Sequence, residues 1–181
     1  MGNNRRWQSE QPLLISCYFG NHIRRIYPAP RGWRCIFFCN NPVFERELSA
    51  QGWEFRLVSR YPIIPDWRVA SLQSKYVKFL GFLQDFPEFT RFSRIIYFDH
   101  SVWMGRKDVR WILRHHCREN AVLLLRHAAI GRTVDEEAEV AKAQNRYAEC
   151  MPATLEWMEE CRRQGCAPEH VLVDATTIIS Y

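Results

Sequence analysis

The hydrophobic pattern divides the chain into short apolar runs separated by longer stretches with helical periodicity. Short runs of apolar residues bounded by Gly, Asn or Pro are typical of buried strands. Such runs predict buried strands at residues 13–19, 34–39, 95–98, 121–126 and 171–181. A further run, at residues 53–58, alternates apolar and polar positions, which is typical of an edge or half-covered strand.

Apolar residues at helical spacing predict helices between these strands. The first helix is predicted over residues 69–85, and its expected buried face consists of Leu72, Tyr76, Phe79, Leu80 and Leu83. A different stripe of the same helix carries Ser71, Ser74, Lys75 and Lys78. Further helices are predicted at residues 107–118, 133–150 and 152–165.

Strands and helices alternate along the chain, and the strands are almost continuously apolar, which is typical of an α/β fold with a mostly parallel sheet. We therefore predict a single layered α/β/α domain over residues 12–181, preceded by a disordered polar leader over residues 1–11. Ligands bind such sheets at the carboxyl ends of the strands. Asp99 directly follows one predicted strand, and His127 directly follows another.

Composition narrows the range of functions. The 181 residues are 47% apolar and 14% aromatic, which indicates a folded globular protein. The net charge of +5 suits a phosphate-bearing ligand, but the arginines form no dense run, which argues against a nucleic-acid partner. The seven cysteines have no disulfide-like spacing and predict a reducing, cytoplasmic location. No apolar run approaches the ~20 residues of a membrane span, so we expect a soluble protein.

Asp99 is the first candidate for chemistry. A carboxylate at a strand tip suits Mg²⁺ or Mn²⁺, which neutralises a diphosphate and stabilises it as a leaving group. The alternative is structural, because an aspartate there also accepts hydrogen bonds from the following turn or caps the next helix. The pattern of residues leaves both interpretations open.

Four other positions are candidates for ligand binding. Lys75 and Lys78 suit phosphate oxygens as point charges, although the sequence favours an ordinary solvated helix face at these positions. Arg132 precedes a predicted helix N-terminus, which is an anion-binding position. Glu136 forms a capping-box signature with Thr133. It also continues an apolar stripe, which makes it a candidate general base or substrate ligand.

Several sequence motifs of well-known enzymes are missing. There is no Gly-x-Gly-x-x-Gly after a strand, no Walker phosphate loop and no Gly-x-Ser-x-Gly elbow. Rossmann dehydrogenases, P-loop NTPases and α/β-hydrolases therefore receive no support.

A set of short motifs occurs in an order that resembles a known family. The motifs are Tyr18-Phe19-Gly20, Phe37-Phe38-Cys39-Asn40, Gly52-Trp53, Ser74-Lys75-Tyr76-Val77-Lys78, Ile96-Tyr97-Phe98-Asp99-His100-Ser101, His127 with Arg132, Asp135-Glu136-Glu137-Ala138, Gln144-x-Arg146-Tyr147 and Thr176-Thr177-Ile178-Ile179. They resemble GT-A type glycosyltransferases. The closer resemblance is to the glycosyltransferase-like family that includes the plant turgor-regulation-defect protein and a plant mucilage-related hexosyltransferase.

This resemblance implies a GT-A fold and transfer of a sugar from a nucleotide-sugar donor to an acceptor, with Mn²⁺ or Mg²⁺ as cofactor. Asp99 takes the position of the aspartate associated with metal and diphosphate, and His127 is the second expected metal ligand. Asp99 and Glu136 are the expected catalytic residues. The expected substrate contacts are Lys75, Lys78, Ser101, His127 and Arg132.

The chain departs from the family pattern in two places. The usual Asp-x-Asp motif reads Asp99-His100-Ser101, so the second carboxylate is missing. The chain ends at Tyr181, where GT-A enzymes usually continue into an acceptor-binding portion, and we interpret it as a fragment, a minimal version or a degenerate version. The alternatives are thus a non-catalytic nucleotide- or glycan-binding module and a hydrolase that uses metal-bound water at Asp99 and His127.

Overall fold

The computed structural model describes residues 12–115, 123–126, 133–165 and 173–180. The leader predicted over residues 1–11 lies outside these ranges. The chain divides into two compact units, of which the second is Leu125–Asp174 and the first comprises the residues on either side of it. The prediction of one domain over residues 12–181 stays a prediction.

The strands and helices follow one another in the predicted alternation. The strands are β1 (Leu13–Tyr18), β2 (Arg34–Cys39), β3 (Glu54–Leu57), β4 (Ile95–Tyr97), β5 (Leu123–Arg126) and β6 (Val173–Ser180). The helices are α1 (Glu45–Ala50), α2 (Trp67–Lys78), α3 (Arg106–His115), α4 (Val134–Lys142) and α5 (Met151–Arg163). The short helix α1 was not predicted, because a helix of six residues is too brief to show a periodic pattern.

The strands form one sheet in the order β3-β2-β1-β4-β6-β5. Strands β3, β2, β1 and β4 run parallel, and Ile15 of β1 pairs with Ile36 on one side and with Tyr97 on the other. Strand β6 is antiparallel to β4 and places Ser180 opposite Ile96. The α/β class and the mostly parallel sheet are therefore confirmed. The direction of β6 was not predicted, because apolar patterning identifies a strand but not its direction.

Alternate residues of β1 enter two separate cores on opposite faces of the sheet. Leu13, Ile15 and Cys17 pack with α2 and with an aromatic cluster around Phe38. Leu14 packs on the other face, where the core also contains residues of α1 and α3. The sheet of the first unit is thus covered by helices on both faces, as its apolar strands require.

The boundaries and the buried face of α2 differ from the prediction. The side chain of Asp66 accepts a hydrogen bond from the Arg68 N–H and caps the helix two residues earlier than expected. The helix ends at Lys78, and Leu80 then adopts a left-handed backbone with φ of 61°. Leu72 and Phe79, both predicted to be buried, are 68% and 61% exposed.

Tyr76, Leu80 and Leu83 pack against the core as predicted, and the buried residues of α2 are Ala70, Val77 and Lys78. Ala70 is small and Lys78 is charged, so hydrophobic spacing along the chain does not predict that these two residues are buried. The burial of Lys78 shows that the interpretation of this lysine as part of a solvated face was wrong.

The second unit contains α4 and α5, which pack through a small core formed by Ala138, Met151 and Met158. Helix α4 begins with the predicted capping box: the Thr133 side chain accepts the Glu136 N–H, and the Glu136 carboxylate accepts the Thr133 N–H. The helix ends at Lys142 and does not continue to residue 150. The capping prediction is confirmed, whereas the predicted length of this helix was wrong.

Candidate functional site

A cleft of about 220 Å³ lies at the carboxyl ends of β1 and β4. The end of β1 lines it with Cys17, Tyr18 and Phe19, and the end of β4 with Tyr97, Asp99 and His100. The remaining wall comes from Trp67, Ala70, Ser71 and Ser74 on the first turns of α2. The cleft therefore occupies the edge of the sheet at which parallel α/β proteins bind ligands.

The two carboxylate oxygens of Asp99 have different surroundings. Oδ1 accepts the Ser101 N–H at 2.9 Å and the Ser101 hydroxyl at 2.8 Å, and His100 Nδ1 lies 3.1 Å from it. No described residue donates a hydrogen bond to Oδ2. The turn interpretation of Asp99 is thus correct for Oδ1, while Oδ2 is without a donor in the part of the chain that the structure describes.

The pKa of Asp99 reflects a competition between burial and hydrogen bonding. Burial alone raises the pKa of this carboxyl. The contacts from His100 and from the backbone and hydroxyl of Ser101 outweigh burial and lower the pKa to about 2. Asp99 is consequently a fixed negative charge at neutral pH, which suits binding of a cation and does not suit a general acid or base.

The ring of His100 is held by Tyr18. The two rings meet edge to face with centroids 5.0 Å apart, and the Tyr18 hydroxyl donates to the carbonyl of His22. This contact places the imidazole at the cleft wall beside Asp99. A chain of contacts therefore runs from the loop after β1 to the carboxylate at the end of β4.

Two residues that line the cleft, Cys17 and Tyr97, form a buried polar cluster with Lys78, which lies behind them. The Cys17 Sγ lies 3.9 Å from the Tyr97 hydroxyl, and the Lys78 Nζ lies 5.9 Å from the centroid of the Tyr97 ring. Burial raises the pKa of the Cys17 thiol to about 12, so the sulfur is protonated and not a nucleophile at neutral pH. Burial also raises the pKa of Tyr97, and the Asp99 charge raises it further.

Asparagines at the end of β2 fix the loop that follows β1. Asn40 Oδ1 accepts the Gly20 N–H at 3.0 Å, and Asn40 Nδ2 donates to the Pro62 carbonyl at 3.0 Å. Asn41 Nδ2 donates to the Gly20 carbonyl at 3.3 Å. Gly20 has a φ of +133°, which side-chain-bearing residues rarely adopt. These bonds hold the cleft-lining end of β1 in place.

The predicted site residues have different locations. Asp99 lines the cleft, and Ser101 contacts Asp99 without lining it. Lys78 lies behind the wall, while Lys75 is partly exposed and does not line the cleft. His127 and Arg132 lie outside the described residues.

Glu136 belongs to the second unit and is exposed, with its carboxylate engaged in the helix cap. The expectation that Glu136 continues an inward apolar stripe was therefore wrong, since the buried position of α4 is Ala138. A catalytic role for Glu136 stays a prediction.

The described residues contain no group of three or more His, Cys, Asp and Glu side chains that could hold a metal ion. Among the described residues that line the cleft, Asp99 is the single carboxylate. Mg²⁺ is commonly bound by only one or two carboxylates together with phosphate oxygens of the substrate. Asp99 Oδ2, which accepts no hydrogen bond from a described residue, suits such a site, in which oxygens of the ligand complete the coordination.

Sequence reasoning missed several residues of the cleft. Trp67, Cys17 and Tyr97 line it, and none of them was a candidate. Knowledge that β1 pairs with β4 would have identified Cys17, because this pairing places the end of β1 beside Asp99. Trp67 was not predicted to line the cleft because the helix was expected to begin at residue 69, whereas Asp66 caps it and Trp67 is its first residue.

Within the described part of the chain, no helix is both long and apolar enough to cross a membrane. Comparisons with protein-family models, with curated proteins and with solved structures give no match to this chain.

Proposed function

We propose that this chain is a glycosyltransferase-like protein that binds a nucleotide sugar in the cleft and transfers the sugar to an acceptor. The observation that carries the proposal is Asp99 at the end of a parallel strand, whose Oδ1 is fixed by Ser101 and whose Oδ2 accepts no hydrogen bond from the described residues. The low pKa of Asp99 keeps this oxygen charged at neutral pH. The order of motifs that resembles the GT-A family supports the same proposal.

A divalent cation fits the proposed site at Asp99. Mn²⁺ or Mg²⁺ would be held by Asp99 Oδ2 together with oxygens of the bound diphosphate, as hard cations prefer. When bound, the cation neutralises the charge of the diphosphate leaving group. His127 remains the proposed second ligand.

The other residues of the cleft suit the remaining parts of such a ligand. Its aromatic side chains, Tyr18, Phe19 and Trp67, suit the flat face of a base or the apolar face of a sugar ring. The Ser71 and Ser74 hydroxyls are available to polar groups of the ligand, although the Ser74 hydroxyl already donates to the Ser71 carbonyl. The volume of about 220 Å³ suits one end of a nucleotide sugar, since pockets for whole drug-sized ligands measure roughly 300–1,000 Å³.

One observation favours a second candidate, a non-catalytic nucleotide- or glycan-binding module. Ser101 stands where the resemblance leads us to expect a second carboxylate, and its hydroxyl donates to Asp99 Oδ1. A site with one carboxylate holds a cation less firmly than a site with two. Such a site is able to bind a nucleotide sugar without transferring the sugar.

Incubation with a panel of nucleoside diphosphate sugars, with and without Mn²⁺, tests these two candidates. Release of nucleoside diphosphate that depends on Mn²⁺ supports the transferase, and binding without release supports the binding module. If no member of the panel raises the melting temperature at saturating concentration, both candidates are refuted.

Asp99→Asn is the informative variant, and Asp108→Asn is its matched control. Asp108 also accepts a backbone N–H, from Gly105 at 2.8 Å, but does not line the cleft. We expect Asp99→Asn to abolish binding that depends on Mn²⁺ and Asp108→Asn to preserve it. Equal loss in both variants would show that removal of any aspartate, and not the site itself, causes the effect.

A further inference from the structure

Helix α3 and Trp103, which precedes it, form an exposed surface that combines basic side chains with tryptophan rings. The basic–tryptophan surface consists of Trp103, Arg106, Lys107, Arg110, Trp111 and Arg114, all of which are exposed. Lys107, Arg110, Trp111 and Arg114 are three or four positions apart and share one side of the helix. The opposite side, with Val109 and Ile112, is buried in the core.

Helix α3 supplies four of the cations of this surface. Within the described part of the chain, none of Arg106, Lys107, Arg110 and Arg114 takes part in an ion pair. The one carboxylate of the helix, Asp108, accepts the Gly105 N–H at the helix start. The loop between β1 and β2 extends the positive charge with the exposed Arg31, since its neighbour Gly32 lies against the Arg106 side chain.

The two tryptophans make the surface unusual. Trp103 is 62% exposed and Trp111 is 56% exposed, although tryptophan is mostly buried in soluble folds. Trp103 lies against Gly105 at the start of α3, because a side chain added at Gly105 would begin 3.2 Å from the Trp103 ring. Trp111 therefore stands among the basic side chains of α3, and Trp103 lies beside the start of the helix.

We infer that the basic–tryptophan surface docks this protein onto a lipid bilayer that contains anionic headgroups. Lys and Arg side chains are attracted to the negative surface potential of such a leaflet. Tryptophan is enriched at the headgroup level, where its apolar ring and polar N–H are both accommodated. The basic side chains thus suit the anionic headgroups, and the tryptophan rings suit the boundary between headgroups and acyl chains.

Nucleic acid is the other polyanion that such charge attracts, and the structure favours it less. Helices read duplex bases with Arg or Lys at guanine and with Asn or Gln at adenine. Helix α3 has the cations but no Asn or Gln, and its exposed tryptophan is not one of the base-reading side chains. Single strands bind in positively charged grooves that follow the backbone. The basic–tryptophan surface is instead the outer face of a helix that packs on the sheet.

Sedimentation with vesicles tests the inference on the full chain. We expect binding to vesicles of phosphatidylcholine mixed with phosphatidylserine, no binding to phosphatidylcholine alone, and loss of binding at high salt. Each cation near the surface contributes roughly fivefold to the partition coefficient, so Arg110→Gln with Arg114→Gln is expected to weaken binding about 25-fold. The matched control is Arg46→Gln, which removes an exposed arginine of α1 between Glu45 and Glu47.

The tryptophans provide an independent readout. We expect a blue shift of fluorescence when the wild-type chain meets the phosphatidylserine vesicles, and loss of that shift in the Trp103→Ala, Trp111→Ala variant. Trp157→Ala controls for removal of an exposed tryptophan, because Trp157 is 65% exposed on α5 in the other unit. All the substituted side chains are exposed, so unchanged melting temperatures are expected for every variant.

Two results would overturn the inference. One is an absence of binding to the phosphatidylserine vesicles at low salt, or an equal loss of binding in the control variants. The other is a single-stranded oligonucleotide that binds more tightly than the vesicles at the same salt and displaces the chain from them, which would assign the surface to nucleic acid.

Discussion

Replacement of Asp99 by Asn removes the charge from a carboxylate whose Oδ1 already receives the N–H and the hydroxyl of Ser101. The asparagine carbonyl oxygen is able to accept the same two hydrogen bonds, so the turn is retained. The variant therefore isolates the contribution of the charge to stability. We expect that contribution to depend on pH in a defined direction.

The pKa of Asp99 provides the magnitude. Hydrogen bonds in the folded chain lower this pKa from the ordinary value of 3.8 to about 2, despite the opposing effect of burial. Each pKa unit corresponds to about 1.4 kcal/mol, so the carboxylate stabilises the fold by about 2 kcal/mol at neutral pH. This is an upper value, because the Asp99 side chain is 30% exposed and solvent screens its interactions.

The direction of the pH dependence follows from the difference between the folded-state and unfolded-state pKa of Asp99. Because the folded-state pKa lies below the unfolded-state value, the stabilisation is complete above about pH 5 and is lost as the pH falls through the folded-state pKa near 2. Urea denaturation of the wild type and of Asp99→Asn across this range measures the gap between their free energies of unfolding. We expect the gap to fall from about 2 kcal/mol at neutral pH to about half of that near pH 3.

Ser101→Ala serves as the control, because it removes one donor to Oδ1 and keeps both the carboxylate and the Ser101 N–H. Loss of this donor raises the pKa of Asp99, so the wild-type chain and Ser101→Ala should differ less than the wild type and Asp99→Asn at neutral pH. A gap between wild type and Asp99→Asn that is constant from neutral pH to pH 3 would refute the reasoning.

Three further substitutions test the packing and the loops. Phe38→Ala removes a fully buried ring whose centroid is 4.7 Å from that of Phe82, and we expect a loss of about 3–5 kcal/mol in urea denaturation; a loss below about 1 kcal/mol would contradict the assigned core. Asn40→Ala leaves the Gly20 N–H without its acceptor, and we expect a loss of about 1–3 kcal/mol together with faster proteolysis of the loop after β1; unchanged proteolysis would contradict the role of Asn40. Thr133→Ala breaks the capping box and should destabilise the chain by about 1 kcal/mol in thermal denaturation, whereas Thr133→Ser should have little effect; equal losses would contradict the cap.

The strands of the sheet were predictable because their apolar residues are contiguous. Leu13, Leu14 and Ile15 are all fully buried, so both faces of β1 require apolar side chains and the pattern is unambiguous. The class of fold followed from the alternation of such strands with helices. The antiparallel direction of β6 did not follow, because it depends on the path of the chain between strands.

The buried face of helix α2 was only partly predictable from hydrophobic periodicity. The residue at its core-facing end is Lys78, and its exposed side carries Leu72 and Phe79. Hydrophobic spacing therefore identified Tyr76, Leu80 and Leu83 as core contacts but wrongly included Leu72 and Phe79. The burial of a lysine beside the Tyr97 ring depends on tertiary contacts that spacing along the chain does not encode.

Asp99 was the one residue of the cleft that the sequence identified as a candidate. Asp99 was recognisable because a polar residue follows an apolar strand, and the rule for strand ends places it at a ligand site. The remainder of the cleft needs the pairing of β1 with β4, which brings Tyr18 next to His100. The different surroundings of the two Asp99 oxygens likewise appear only in the folded turn.

The most direct measurement of the central claim is calorimetric titration of uridine diphosphate and guanosine diphosphate, with and without Mn²⁺, into the wild-type chain and Asp99→Asn. We expect one of these nucleotides to bind the wild type only when Mn²⁺ is present, and we expect no such binding to the variant. Binding that persists unchanged in Asp99→Asn would contradict the assignment of the cleft, as would the absence of binding by either nucleotide to the wild type.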